Sequence, residues 1–413
     1  MTESVTTQLL HRDRRGNALG DIHTPVHTSV QYAFDSAESL IAAFAISEHR
    51  SAVYARSGTP TVFSLEDKVT MLEDGIGTVC FASGMAALTG TFLALLNAGD
   101  HLVASCHLFG NTASLLKSLA RLGIVVDLVD PSQAHDIEVA IRPTTRMVFV
   151  ESVSNPTTVV SDLARIGAVC EQRSIPFVVD NTILSPLLYK ARGSKASLVV
   201  NSLTKTLAGH GSGLGGGVTD TGVFDWSRYP NIADAYKSIS PAYWALTQIR
   251  KRGLRDMGGA LSSEHAHSIM LGMETASLRV AQTCSSALQL ARFLESHPTV
   301  CKVNYPFLDS HPQVHLAREL FLGGSWLLSF SMQTGAEARA LLNALAIPAK
   351  STGLGCGRSL VIPVAETLYS DMAAEMRHRI GVDDGLVRYS VGLEPAADLI
   401  GDLAQALSRV SAA

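Results

Sequence analysis

The sequence predicts an α/β fold, a mainly parallel sheet sandwiched by helices and followed by a smaller C-terminal α/β unit. Three observations carry this. Between Thr78 and Lys205, short apolar runs alternate with amphipathic segments of helical period. Polar residues collect where those runs end, at Glu151, Asn155, Asp180, Ser202, Thr204 and Lys205, and ligands of open α/β sheets bind outside the C-terminal strand ends. The composition, 46% hydrophobic and 17% charged with 33 glycines in 413 residues, suits a compact chain of two or three units.

Other classes are disfavoured. A net charge of −4 with no block of like charges gives no electrostatic footprint for nucleic acid or an anionic membrane. The start, Met1 to Gln8, lacks the layout of a signal peptide, and no apolar run reaches the ~18 residues of a membrane span. A cytoplasmic protein is expected. The six cysteines are scattered and read as reduced thiols, with Cys106 and Cys356 near enough to motifs to line a site. His23 and His27 are separated by Pro25, and His265-Ala-His267 reads as a solvated helical face, so no metal site is expected.

Residues 1–55 read as an irregular arm that packs on a partner subunit or covers a site. It ends in the turn Tyr54-Ala-Arg56-Ser-Gly-Thr-Pro60, where a tyrosine and an arginine suit anion binding. Residues 56–255 form the main unit. A helix is predicted over 62–77, a strand over 78–81, and a helix from Ser83-Gly84-Met85 to about Asn97; strand, Ser-Gly, helix leaves free N–H groups for a phosphate. Strands follow at 101–105, 124–129, 147–151 and 175–180, with helices between them, and then the run 198–202 that leads to Lys205 and a glycine-rich tract. Residues 226–255 read as a connecting helical region. In the last unit, 256–413, helices are predicted at 276–295, 336–345 and 395–411, strands at 327–332 and 386–394, and a glycine-rich loop at 352–363.

Lys205 at a buried strand end is a candidate nucleophilic amine, its pKa depressed by low polarity. Asp180 ends the preceding strand. A lysine for an aldehyde and a carboxylate for a pyridinium nitrogen are what pyridoxal phosphate (PLP) needs. Arg388, inside an apolar strand, is costly unless it meets a carboxylate of the protein or of a substrate.

These residues resemble, in order and over nearly the whole chain, the PLP enzymes of cysteine and methionine metabolism. The likeness lies in Tyr54-Ala-Arg56-Ser-Gly-Thr-Pro-Thr, Ala82-Ser83-Gly84-Met85-Ala-Ala, Asn155-Pro156, Asp180-Asn-Thr182, Ser202-Leu-Thr204-Lys205 and Arg388-Tyr-Ser-Val-Gly-Leu-Glu. The resemblance implies the type I, aspartate-aminotransferase-like PLP fold with a seven-stranded sheet. It implies that Lys205 binds PLP and shuttles protons, and that Asp180 pairs with the ring nitrogen. Ser83, Gly84, Met85, Ser202 and Thr204 would surround the phosphate, with Thr182 close to the cofactor. Tyr54 and Arg56 would reach the phosphate of a neighbouring subunit, so that a homo-oligomer, a dimer of dimers, shares its sites. Arg388 would clamp the substrate α-carboxylate and Asn155 would sit by the ring hydroxyl.

Departures from the family pattern narrow the reaction. Phe109 stands where the ring-stacking residue is commonly tyrosine, and Arg358 where cystathionine enzymes carry a glutamate for a distal ammonium. Both resemble the sulfhydrylase branch, which implies O-acetylhomoserine and a sulfur donor as substrates. A methionine or cystathionine γ-lyase or γ-synthase is the alternative within the family. A serine hydrolase using Ser202-Leu-Thr-Lys205 as Ser-x-x-Lys is the alternative outside it.

Overall fold

The computed structural model describes residues 4–12, 20–44, 50 and 52–411. The remaining parts of the predicted arm, and Met1 to Glu3 of the start, lie outside the described residues.

Seven strands form the larger sheet: β1 (Gly77–Phe81), β2 (His101–Ser105), β3 (Val125–Val129), β4 (Thr145–Glu151), β5 (Phe177–Asp180), β6 (Leu198–Asn201) and β7 (Gly216–Asp220), in the order β1-β7-β6-β5-β4-β2-β3. Strands β2 to β6 pair in parallel. β7 runs antiparallel between β1 and β6. Residues 147–150 of β4, 177–179 of β5 and 198–200 of β6 are apolar without a break because both faces are covered. Met147, Phe149 and Val178 enter one core with Phe92 and Trp226, while Val148, Val150, Phe177 and Val179 enter the opposite one with Ile166 and Trp326.

The two helices that flank β1 begin where the sequence supplies caps. Thr59 accepts from the Val62 N–H ahead of Pro60–Leu72, with Pro60 in the first turn, and Ser83 accepts from the Ala86 N–H ahead of Gly84–Leu95. The first helix is shorter than predicted. It stops at Leu72 because Asp74 turns to φ 53°.

Two glycine-rich stretches hide strands. The tract after Lys205 continues into β7, where Gly216 lies so close to Ser83 and Gly84 that a Cβ would overlap their backbone. The predicted loop at 352–363 ends in β11 (Leu360–Pro363). With β8 (Lys302–Asn304), β9 (Leu327–Ser331), β10 (Ala349–Lys350) and β12 (Leu386–Ser390) it makes a second sheet, ordered β10-β11-β12-β9-β8. Helices Ala276–Glu295 and Ala396–Ser411 pack on it through Leu290, Leu294, Leu399 and Leu403. The type I fold expected for the chain is the fold observed, with a smaller C-terminal sheet domain.

The connecting region is not one helix. Short 3₁₀ turns lead to Trp244–Gln248 and a π-helical stretch, Ile249–Asp256, in which Gly253 packs backbone to backbone on Gly90. The face of His265 and His267 is also not simply solvated. His265 Nδ1 accepts from the Leu214 N–H at 2.8 Å, and His267 Nδ1 lies 3.1 Å from the Thr24 carbonyl, which ties the arm to the helix Ser263–Glu274. Among the described residues no helix is long and apolar enough to cross a membrane.

Candidate active site

The ends of β4, β5 and β6 converge. Glu151 and Asp180 are register partners on neighbouring strands. Asp180 Oδ1 accepts from the Thr182 N–H at 2.9 Å, and Thr182 Oγ1 accepts from the Ser202 N–H at 2.8 Å. These links set the spacing between the acid strand and the lysine strand. Lys205 follows in a tight turn, its N–H donating to the Ser202 carbonyl (3.2 Å) and its own carbonyl accepting from the Gly209 N–H (2.8 Å). Burial, and after it the Arg388 charge, lowers the Lys205 pKa, which favours the neutral, nucleophilic amine.

Burial raises the Asp180 pKa. Burial and then the neighbouring Asp180 push Glu151 up to about 8. A buried and a half-buried carboxyl side by side are short of a cation, and a pyridinium N–H is the group that would ionise Asp180. The donor set therefore fits PLP. The phosphate end fits too. Ser83, Gly84 and Met85 open a helix N-terminus, and a Cβ on Gly84 would stand 2.9 Å from Ser202 Cβ and 3.2 Å from its Oγ, closing the space. The Thr204 hydroxyl is engaged with Gly215, accepting from its N–H (2.9 Å) and donating to its carbonyl (3.2 Å). It braces the lysine turn against the segment entering β7.

Arg388, in β12, is 1% exposed. Nη2 donates to the carbonyls of Thr352 and Gly353, both at 2.9 Å, Nη1 reaches Asn155 Oδ1 at 3.5 Å, and Nε has no partner. The carboxylate expected beside it is not supplied by the described residues. Burial lowers its pKa to about 10, offset in part by Tyr369. Asn155 is buried, precedes a cis peptide to Pro156, and donates its N–H to Glu151 Oε2 at 3.3 Å. The Phe109 N–H donates to Glu151 Oε1 at 2.7 Å. Arg358 is exposed at the end of the Gly353–Arg358 loop. Where a Gly355 Cβ would stand is 3.2 Å from Lys205 Cβ, so this loop walls the lysine.

Sequence reasoning missed two neighbours. Glu151 was legible only as a polar strand end, although it holds both Phe109 and Asn155. The buried hydroxyl of Tyr369 donates at 3.3–3.4 Å to the carbonyls of Leu108 and Asn155, and an irregular stretch gives no pattern that would single it out. Of the two flagged cysteines, burial and nearby Asp130 push Cys106 up to about 11, so it stays a thiol, and Cys356 lines a small crevice with Thr206 and Arg279.

Tyr54 and Arg56 lie apart from this group. They line a cavity of about 930 Å³ with Tyr32, Arg250 and Arg255, and neither Lys205, Asp180 nor Arg388 borders it. Arg56 Nη1 donates to the Arg255 carbonyl at 2.6 Å, and its guanidinium stacks 5.7 Å from the Tyr54 ring centre.

Residues 6–408 match the family model described as Cys/Met metabolism PLP-dependent enzyme. The chain belongs to this family. As a Cys/Met metabolism enzyme it uses PLP as its cofactor. It is 34% identical over 408 residues to an L-methionine gamma-lyase of Fusobacterium nucleatum subsp. polymorphum, covering 98% of each chain. It is 36% identical over 398 residues to an O-acetyl-L-homoserine sulfhydrylase of Corynebacterium glutamicum, covering 92% of this chain and 91% of that one. A solved structure, a putative O-acetylhomoserine (thiol)-lyase from Campylobacter jejuni carrying N'-pyridoxyl-lysine-5'-monophosphate, superposes with a TM-score of 0.89 at 28% identity, over 98% of this chain and 100% of that one. The family's relatives thus include both γ-lyases and sulfhydrylases.

Proposed function

We propose that this Cys/Met metabolism enzyme is an O-acetylhomoserine sulfhydrylase, converting O-acetylhomoserine and sulfide to homocysteine and acetate. The observation that carries this reading is Arg358, an exposed cation with no described carboxylate partner, on the loop that walls Lys205. A cation there repels a substrate with a distal ammonium, such as cysteine or cystathionine, and tolerates an uncharged ester. Phe109 agrees with it, since its ring offers stacking area without a phenol to take a proton.

When bound, PLP supplies an aldehyde for the substrate amine and a ring that stores electrons. Lys205 is the residue that binds it and moves protons, first from Cα and then from Cβ. Acetate would leave from Cγ, hydrosulfide would add to the same carbon, and Lys205 would return the two protons to Cβ and Cα. Arg388, with Asn155 beside it, holds the α-carboxylate. Asp180 keeps the ring nitrogen protonated, and Glu151 holds the Phe109 and Asn155 segments on either side. The amides of Gly84 and Met85, with Ser202, hold the phosphate, and the partner subunit completes that end with Tyr54 and Arg56.

The second reading is a methionine γ-lyase, which the 34%-identical lyase relative favours. Incubating the purified enzyme with O-acetylhomoserine, with and without sulfide, decides between them. Homocysteine should dominate when sulfide is present; 2-oxobutyrate in equal amount with or without sulfide identifies a lyase. Lys205→Ala should lose turnover entirely in either assay, and a variant near the wild-type rate removes the lysine from this role.

A further inference from the structure

The turn that follows Lys205 is gripped by a buried arginine that the reaction above does not use. Arg279, on the helix Ala276–Glu295, is 8% exposed. Its Nη1 donates to the Thr206 carbonyl at 2.9 Å, and its Nη2 to the carbonyls of Leu207 (3.2 Å) and Gly272 (2.5 Å). Its Nε lies 3.3 Å from Thr275 Oγ1. All of these acceptors are neutral, and no carboxylate is among its described contacts. A guanidinium buried without a counter-ion is tolerated only when its N–H groups are individually satisfied, and here two of the acceptors are the backbone carbonyls just past the lysine.

The opposite side of the turn is held as closely. The Gly357 N–H donates to the Gly209 carbonyl at 2.8 Å. A Cβ on Gly355 would stand 2.8 Å from the Thr206 nitrogen, and a Cβ on Gly209, at φ +70°, would collide with the Arg279 guanidinium. Residues 205–209 are therefore clamped between one helix and one loop, both contributed by the C-terminal part of the chain.

We propose that Arg279 is a positioning residue for Lys205. By fixing the carbonyls of the two residues that follow the lysine, it sets the direction from which the amine reaches substrate Cα. The proposal rests on Lys205 being the cofactor lysine, and it assigns Arg279 no contact with substrate or cofactor. A single ammonium cannot span three divergent carbonyls, so lysine is a poor substitute.

The test uses holoenzyme carrying Arg279→Met or Arg279→Lys. The measurements are bound cofactor, melting temperature, backbone amide exchange over residues 203–211, wash-in of solvent deuterium at substrate Cα, and the separate values of kcat and KM. With cofactor content and melting temperature near wild type, amide exchange at Gly209 should accelerate and deuterium wash-in should fall by roughly 10–100-fold, because small misplacements of a reacting group cost about that much. KM should change less than about three-fold, since uniform binding is untouched. Millimolar guanidinium should restore part of the wash-in to Arg279→Met. Wash-in and kcat within two-fold of wild type would overturn the proposal, and so would a loss that follows cofactor content or melting temperature without guanidinium rescue. If Arg279→Met does not fold, Arg279→Lys decides by the same criteria. An active Lys205→Ala variant would instead remove the premise, a failure these measurements keep separate.

Discussion

A guanidinium that is 1% exposed, bonded only to neutral acceptors and left with a free Nε, brings uncompensated positive charge into the interior. Arg388 is stabilised when an anion arrives, which is the physical content of the proposed α-carboxylate clamp. Arg388→Lys keeps the charge but loses the planar fork. It should raise KM for the amino-acid substrate roughly 10–100-fold with a smaller fall in kcat, read from saturation curves. An unchanged KM would move the carboxylate elsewhere. At this scale the legible residues were those out of place in their local pattern: a lysine and an aspartate at strand ends, an arginine within an apolar strand. Arg279 and Tyr369 were not legible. An arginine on a long amphipathic helix looks like a solvated face until the fold shows which backbone lies against it.

The helix Pro60–Leu72 ends in a charge with little help. Glu73, its C-cap residue, is fully buried; Oε1 accepts from Asn201 Nδ2 at 2.6 Å, and Oε2 has no hydrogen-bond partner. Burial raises its pKa to about 7, against lowering by Asn201, Lys190 and Asn181, with Asp74 adding to the rise. A carboxyl whose folded pKa is raised favours the fold while protonated. Its contribution is complete below the unfolded value near 4.5 and is lost as pH rises through about 7. Glu73→Gln, which mimics the protonated form, should therefore be more stable than wild type by about 1–3 kcal/mol at pH 8. The advantage should vanish below pH ~4.5. Paired chemical denaturation at the two pH values checks this.

At the neighbouring element, Gly84→Ala should keep the fold but weaken cofactor retention at least about ten-fold, because a methyl group fills the space beside Ser202. Dialysis against cofactor-free buffer, followed by the visible absorbance, measures it. The alternating strands of the larger sheet were legible because most of them carry an unbroken apolar run. β7 and β11 were not. β7 is buried by backbone contact of glycine rather than by side chains, and β11 is short and adjoins a glycine-rich loop.

Across the whole molecule, the separation of Tyr54 and Arg56 from the lysine group supports the proposal that two subunits build each site. The cavity they line is cationic, and the adjoining arm helix Ala37–Phe44 leaves Ile41 and Phe44 exposed at 69% and 64%. Arg56→Ala and Lys205→Ala should each be nearly inactive alone. Unfolded together and refolded, they should regain about a quarter of wild-type activity, because half the dimers are mixed and each mixed dimer holds one intact site. No recovery would mean that Arg56 acts within its own chain. The two-sheet division was legible from the order of patterns along the chain. The packing of the arm was not, because it is held largely by single hydrogen bonds, such as Ser263 Oγ to the His27 carbonyl and Thr61 Oγ1 to the Pro25 carbonyl, that leave no periodic pattern.

β1 ends at Phe81, yet among the described residues its sheet partner is β7, which begins at Gly216. During synthesis from the N-terminus, the strand that leads into Ser83 and Gly84 must wait for more than a hundred further residues before it can join the sheet. The lysine lies just upstream of that closing strand. A nascent chain that has released residues up to Asp220 can thus assemble the larger sheet and bring the lysine beside the helix N-terminus in one event, while Arg388 is still to be made. The strand ends and helix N-terminus proposed to hold the cofactor are made before the arginines proposed to select the substrate.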